Sequence, residues 1–107
     1  MWQNQKVCVV FPAFNEEVNI KKAIEDFFKI SFIDEIIVVD NNSTDNTKQE
    51  ILTTSAKYVF EEEKGYGSAL IRGFKETDAD LIISSEPDGT FKSTDILKLL
   101  VYSLPNY

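Results

Sequence analysis

Apolar residues along this chain gather in short blocks of two kinds. Lys6 to Phe11, Glu35 to Asp40, Lys57 to Phe60 and Asp80 to Ser84 are compact runs rich in β-branched and apolar residues, and each predicts a strand. Val7-Cys8-Val9-Val10-Phe11 and Ile36-Ile37-Val38-Val39 are continuous rather than alternating, which predicts strands covered on both faces, as in a parallel sheet. Between the runs the apolar spacing changes to three and four residues. The first such segment predicts a helix from near Glu16, with Val18, Ile20, Ala23, Ile24, Phe27 and Phe28 on its buried stripe, acids early and lysines later. A second helix is announced by Ser43-Thr44-Asp45, any of which can cap backbone donors, and runs to about Thr54. A third follows Lys64-Gly65-Tyr66-Gly67 and presents Ala69, Leu70, Gly73 and Phe74. A fourth starts near Ser93-Thr94-Asp95 and presents Ile96, Leu97, Leu99, Leu100 and Leu104. The alternation predicts an α/β fold, an open and mainly parallel sheet with helices on both faces and right-handed crossovers.

Size limits what this fold can hold. A chain of 107 residues makes one domain, spanning 1–107, with a genuine core but no room for a second lobe. No apolar stretch nears the roughly 18 residues needed to cross a bilayer. Met1-Trp2-Gln3-Asn4-Gln5-Lys6 lacks the charged-then-apolar pattern of a secretory signal, so a cytoplasmic location is expected. The net charge of -7 argues against a nucleic-acid partner, because a phosphate backbone demands a positive face. It also means that an anionic nucleotide needs a divalent cation between its phosphates and the protein's carboxylates. The absence of histidine removes the usual general base, the Ser-His-Asp triad and most zinc chemistry. Cys8 is the lone cysteine; it forms no internal disulfide and reads as a small core residue.

The candidate chemistry follows the strands. In an open parallel sheet, ligands bind beyond the carboxyl ends of the strands, at a point where strand order reverses. Four polar segments fall there. After the first strand, Pro12-Ala13-Phe14-Asn15-Glu16-Glu17 reads either as a strand-ending proline followed by a helix cap, or as the wall of a base or ribose pocket formed by its backbone and Glu16. Asp40 ends the second strand after four aliphatic residues; a carboxylate there is costly unless solvent or a ligand serves it, and it suits a base N–H. Asn41-Asn42-Ser43 can reach ribose or phosphate, and equally forms a plain turn. Lys64-Gly65-Tyr66-Gly67-Ser68 sets two glycines at a helix start, where backbone N–H groups can approach an anion and Lys64 can pair with phosphate. Arg72, further along that helix, reads as a solvated side chain within reach of the same ligand. Glu86-Pro87-Asp88 puts two carboxylates on a stiffened backbone, the oxygen donors that Mg²⁺ or Mn²⁺ prefers, against the plain alternative of a Pro-Asp-Gly turn.

In order, Val9-Val10-Phe11-Pro12-Ala13-Phe14-Asn15-Glu16-Glu17, Ile36 to Asp45, Gly65 to Phe74 and Glu86-Pro87-Asp88-Gly89-Thr90-Phe91 resemble the family 2 glycosyltransferases over nearly the whole chain, nearest the branch that includes dolichyl- or polyprenyl-phosphate sugar transferases. The resemblance implies a GT-A type, Rossmann-like half that binds a UDP- or GDP-linked sugar. Pro12, Phe14, Glu16 and Asp40 would surround the nucleoside, and Glu86 and Asp88, at the family's Asp-x-Asp position, would hold the metal and diphosphate. Ala13, Asn15, Asn42, Ser43, Lys64 and Gly67 complete the expected site. Asn41 stands where many relatives carry a second acid. Such transferases are usually much longer. The missing carboxyl-terminal half would build the acceptor site and, in many members, supply the base, so no catalytic base is expected in this chain. A polyprenyl phosphate or a glycan is the implied acceptor, with peripheral attachment to the cytoplasmic face of a membrane and self-association as further expectations.

Two other classes compete. A sugar-phosphate nucleotidyltransferase also joins such a sheet to a metal, but needs a glycine-rich basic loop after the first strand, where this chain is acidic. A nucleotide-binding or assembly module without turnover is the second.

Overall fold

The computed structural model describes residues 1–87 and the backbone of 100–103. In chain order the elements are β1 (Val7–Ala13), α1 (Ile20–Phe28), β2 (Glu35–Asp40), α2 (Thr47–Leu52), β3 (Lys57–Phe60), α3 (Tyr66–Lys75), β4 (Leu81–Ser84) and β5 (Leu100–Ser103). They form one sheet ordered β3-β2-β1-β4-β5, in which β1 pairs in parallel with β2 and β4, β2 pairs in parallel with β3, and β5 runs antiparallel to β4. The mainly parallel sheet expected from the apolar runs is therefore present. The chain builds outward from β1 through β2 to β3, then returns through α3 to β4 on the other side of β1. Strand order thus reverses between β1 and β4, the position where open α/β sheets bind ligands.

Alternate side chains of the central strands enter two cores. Val7, Val9, Phe11 and Ala13 pack with Ile36, Val38, the α1 residues Ile20, Ile24 and Phe27, and Ile51 of α2. Phe11 meets Phe27 edge to face at 4.9 Å between ring centroids, worth about 1 kcal/mol beyond area burial. Cys8, Val10, Ile37, Val39 and Ile82 point the other way, against Ala69 of α3, with Leu70 and Phe74 alongside. Reversing the direction of travel while keeping right-handed crossovers requires α3 to lie on the face opposite α1, as it does. Cys8 is fully buried, and desolvation pushes its thiol up to about 12, so it is a core residue.

Several local expectations need correction. β1 continues through Pro12, which pairs in register with Val39, rather than ending before it. The backbone groups of Val7 and Ala13 face β2, where their carbonyls accept from Asp34 and Asn41; those of Val10 and Pro12 face β4. Pairing with β4 stops at Val10 and Ser84, so the missing N–H of Pro12 points where β4 offers no acceptor. α1 begins at Ile20, and Val18, 86% exposed, lies in the preceding turn rather than on the buried stripe. The backbone N–H groups of Glu16 and Glu17 are committed sideways to Thr47 and Asp45, which delays the helix. With that start, Lys21 and Lys22 fall in the first turn and Glu25 and Asp26 follow, the reverse of the expected charge order. Lys22 and Lys29 instead pair with Asp26 at 3.1 and 3.6 Å. α2 starts at Thr47 and ends at Leu52, shorter than expected. The fourth helix was expected to include Leu100, but Leu100–Ser103 is β5; the rest of that segment, residues 93–99 and Leu104, lies outside the described residues.

The amino edge of the sheet is tied by charge. Lys6 Nζ meets Asp78 at 2.6 Å, the Val7 N–H donates to Asp34 at 2.7 Å, and the Thr77 hydroxyl donates to Glu35 at 2.6 Å. A cavity of about 340 Å³, lined by Phe28, Asp34, Glu35, Ile36, Ser55 and Lys57, opens at this edge. It lies at the strand starts, away from every segment that the sequence nominates for ligand binding.

Two outcomes test this packing. A Cβ on Gly73 would overlap Val10 and crowd Val39, both stiff β-branched side chains, so Gly73→Ala is expected to lose about 1–3 kcal/mol in urea denaturation; an unchanged midpoint would contradict the close approach of α3 to the sheet. Asp34 is held below the usual carboxylate range first by the Val7 N–H, Glu76 first by Arg72, and Asp78 first by Lys6. A carboxylate with a lower pKa folded than unfolded stabilises the fold above its unfolded value and loses that contribution as pH falls through the folded one. The melting temperature should therefore decline below about pH 4, and a flat profile to pH 2 would refute the assignment.

Candidate functional site

Apart from an ion pair between Arg72 and Glu61, the carboxyl edge is held together mainly by hydrogen bonds between side chains and backbone. Asp40, at the end of β2, is 3% exposed. Its carboxylate accepts the Ser43 N–H at 3.0 Å on one oxygen and the Tyr58 hydroxyl at 2.7 Å on the other, so the cost of burying the charge is met inside the fold. Register sets this contact: Val38 faces Tyr58 and Asp40 faces Phe60, so Tyr58 reaches diagonally along the face it shares with Asp40. Desolvation, and then the neighbouring Asp40 carboxylate, raise the Tyr58 pKa and keep its proton in place as donor.

The loop after β1 is bound to the loop after β2. Asn15 adopts φ 52° and Asn42 φ 68°, left-handed backbone that asparagine tolerates better than most residues. The Asn15 N–H donates to Ser43 Oγ at 3.0 Å, and its side-chain oxygen accepts the Thr44 N–H at 2.8 Å. Buried Thr47 accepts the Glu16 N–H at 2.8 Å while its own hydroxyl donates to Asp45. Pro12 and Ala13 close β1, and beyond them Phe14 is 58% exposed, a large ring standing free of the core.

The loop after β3 joins the same assembly. Asn41 and Asn42 donate from their side-chain amides to carbonyls of Glu61, Glu62 and Glu63. Lys64, Gly65, Tyr66 and Gly67 are exposed at the head of α3, where Gly65, at φ 128°, forms the N-cap without a side-chain cap. Arg72 is not simply solvated: it bonds Glu76 at 2.8 Å and lies 3.5 Å from Glu61, tying α3 to the end of β3.

At the switch point, Ser85 is buried and donates its N–H to the Val10 carbonyl at 3.2 Å, which fixes where the chain leaves the sheet. Glu86 follows at once and is exposed, while Asp88 lies outside the described residues. Carboxylate oxygen suits a hard divalent cation, and Mg²⁺ commonly takes only one or two protein carboxylates, completing its shell with water and phosphate. The described residues contain no group of three or more His, Cys, Asp or Glu able to hold a metal, so an ion at this edge would depend on a sparse set of that kind. No helix among the described residues is long and apolar enough to cross a membrane.

The structure thus gathers Pro12, Ala13, Phe14, Asn15, Glu16, Asp40, Asn42, Ser43, Lys64 and Gly67 along the carboxyl edge. The bracing residues Tyr58 and Thr47 are not among the site residues expected from sequence, and Asn41, read there as part of a turn that can reach ribose or phosphate, instead spends its side chain on the 61–65 loop. An Asp-x-Thr spacing at 45–47 was the available signal for Thr47; for Tyr58 the information lies in strand register.

An open α/β sheet with its polar loops at a strand-order reversal is the architecture of a doubly wound domain that binds its ligand at that edge. The family model for Glycosyl transferase family 2 matches residues 8–103, and the chain belongs to that family. Protein RfbJ of Shigella flexneri is 30% identical over 106 residues, covering 99% of this chain and 82% of RfbJ. Dolichol-phosphate mannosyltransferase of Pyrococcus furiosus is 36% identical over 90 residues, but this chain spans only 26% of it. Among solved structures, glucosyl-3-phosphoglycerate synthase from Mycobacterium tuberculosis, in complex with Mn²⁺, UDP and glucosyl-3-phosphoglycerate, superposes with a TM-score of 0.73 at 29% identity, covering 78% of this chain and 34% of that one. The same enzyme has also been solved with Mg²⁺ and UDP.

Tyr58→Phe removes one of the Asp40 partners while leaving the carboxylate buried, and is expected to lower stability by about 1–3 kcal/mol in urea denaturation. A loss within error of zero would mean that Asp40 does not depend on the hydroxyl.

Proposed function

We propose that this chain is the nucleotide-sugar half of a metal-dependent glycosyltransferase, a single domain over residues 1–107 whose acceptor-binding part and catalytic base lie elsewhere. The observation that carries the reading is the convergence of the loops after β1, β2 and β3 on the carboxyl edge, next to a strand-order reversal from which Glu86 emerges. Pro12, Ala13, Phe14, Asn15 and Glu16 form the nucleoside side, with the exposed Phe14 ring available to a base. Asn42 and Ser43 face the ribose, and Lys64 with Gly67 the phosphates. Asp40 was assigned to the base from sequence; its burial and internal partners favour support from beneath, holding Ser43 and Tyr58 under the nucleoside.

Glu86 and Asp88 would hold Mg²⁺ or Mn²⁺. When bound, such an ion neutralises the diphosphate and stabilises charge on the departing nucleotide. UDP is favoured over GDP as the first nucleotide to test, because the solved relative binds UDP with either metal. A polyprenyl phosphate or a sugar hydroxyl is the acceptor class, with the reaction at the cytoplasmic face of a membrane.

A second reading is nucleotide binding without transfer: this chain spans 82% of RfbJ but only 26% of the mannosyltransferase, so a relative of about this length stands beside much longer ones.

Calorimetric titration with UDP and GDP, with Mn²⁺ or Mg²⁺ and then EDTA, tests the proposal. Metal-dependent binding of one nucleotide is expected, with Asp88→Ala weakening it at least about tenfold. Binding that ignores both EDTA and Asp88→Ala would refute the metal assignment. Metal-dependent binding without transfer from the matching nucleotide sugar to polyprenyl phosphate would favour the second reading.

A further inference from the structure

The ends of β2 and β3 are joined by a device that the nucleotide-facing assignments do not use. Asn41 Nδ2 donates to the Glu61 carbonyl at 3.0 Å and to the Glu63 carbonyl at 2.8 Å, while its Oδ1 accepts the Gly65 N–H at 2.9 Å. These partners settle the orientation of the amide, since turning it over would oppose oxygen to two carbonyls and NH₂ to an N–H. Gly65 is the N-cap of α3, so the bond to its N–H fixes where that helix begins, with Lys64 before it and Gly67 just inside. Asn42 adds donations to the carbonyls of Glu61 at 3.3 Å and Glu62 at 3.0 Å, and Arg72 draws the Glu61 side chain towards α3.

We propose that Asn41 is the positioning residue of the nucleotide site: its neutral amide locks the 61–65 loop onto the end of β2 and so holds Lys64 and Gly67 where the phosphates bind. The inference rests on the functional reading above and adds to it that in this chain, which has Asn41 where many relatives carry an acid, the 61–65 loop needs position 41 to donate as well as accept. An aspartate there still accepts the Gly65 N–H, but ionised it has no donor for two carbonyls about 3 Å away. The charged groups of the adjoining segments are Asp40, Glu61, Glu62, Glu63, Lys64 and Arg72, a set with excess negative charge that favours protonation of an added carboxyl. A protonated carboxyl regains one donor.

The test compares Asn41→Asp with the unaltered chain at pH 8 and pH 5, by calorimetry with UDP and Mn²⁺ and by hydrogen exchange at the Gly65 amide. At pH 8 the variant is expected to bind about tenfold more weakly and to exchange Gly65 faster. At pH 5 the affinity ratio should move towards one, since protonation restores one of the two donations; using the ratio removes the effect of pH on metal binding itself. Asn41→Ala, which cannot be rescued by a proton, should show a ratio independent of pH and keeps the test decisive should the aspartate variant fold poorly. Equal affinities at pH 8, or the same deficit for Asn41→Asp at both pH values, would overturn the proposal. An unaltered chain with a protected Gly65 amide but no affinity for UDP or GDP would instead sink the nucleotide reading, while faster Gly65 exchange in the variants would still support the loop lock.

Discussion

Everything in this fold depends on β1 being covered on both faces at once. Val9 and Phe11 enter one core and Cys8 and Val10 the other, all at zero exposure, so neither face of the strand can be left to water. One layer of helices cannot meet that demand. The chain lays α1 and α2 on one side, and crosses back over β1 to put α3 on the other. The same return reverses strand order between β1 and β4. The strand-order reversal is therefore a by-product of burying a strand, and the site proposed above would use a position that packing had already made.

The two ends of the sheet are secured by different physics. At the amino edge, Lys6, Lys57 and the carboxylates of Glu35, Glu76 and Asp78 form partly exposed ion pairs, which salt screens and which contribute little individually. At the carboxyl edge the fastening passes mainly through side-chain amides, hydroxyls and carboxylates to backbone groups, with buried Asp40 at the centre and the Arg72–Glu61 ion pair beside it. The hydrogen bonds among these are directional and depend little on ionic strength, so they suit loops that must keep a fixed shape. Among the described residues no buried side-chain nitrogen or oxygen lacks a partner.

The sequence was most legible where burial repeats along the chain. β2 and β3 have the bounds that their apolar runs suggested, and Ala69, Leu70, Gly73 and Phe74 meet the sheet as their spacing implied. It was least legible where one loop answers another. Nothing local to Glu16 and Glu17 says that their N–H groups serve Thr47 and Asp45, so the start of α1 was placed a turn early. Pro12 reads as a strand stop because a proline removes a donor; whether that donor is needed depends on which neighbour the strand faces. At the site, residue types and their order carried the family likeness, whereas Tyr58 under Asp40 became visible only through register.

β1 outruns β4, since its pairing on that side ends at Val10 while the strand continues to Ala13. A projecting strand with open hydrogen-bonding groups is ordinarily a template on which another chain can add itself, and so an aggregation hazard. Here the projecting stretch carries Pro12, whose ring replaces the one N–H that would point outward between Val10 and the strand's end. An incoming strand finds no donor to dock on. The end of the sheet's most buried strand can thus run past β4 without presenting a donor on that side to another polypeptide.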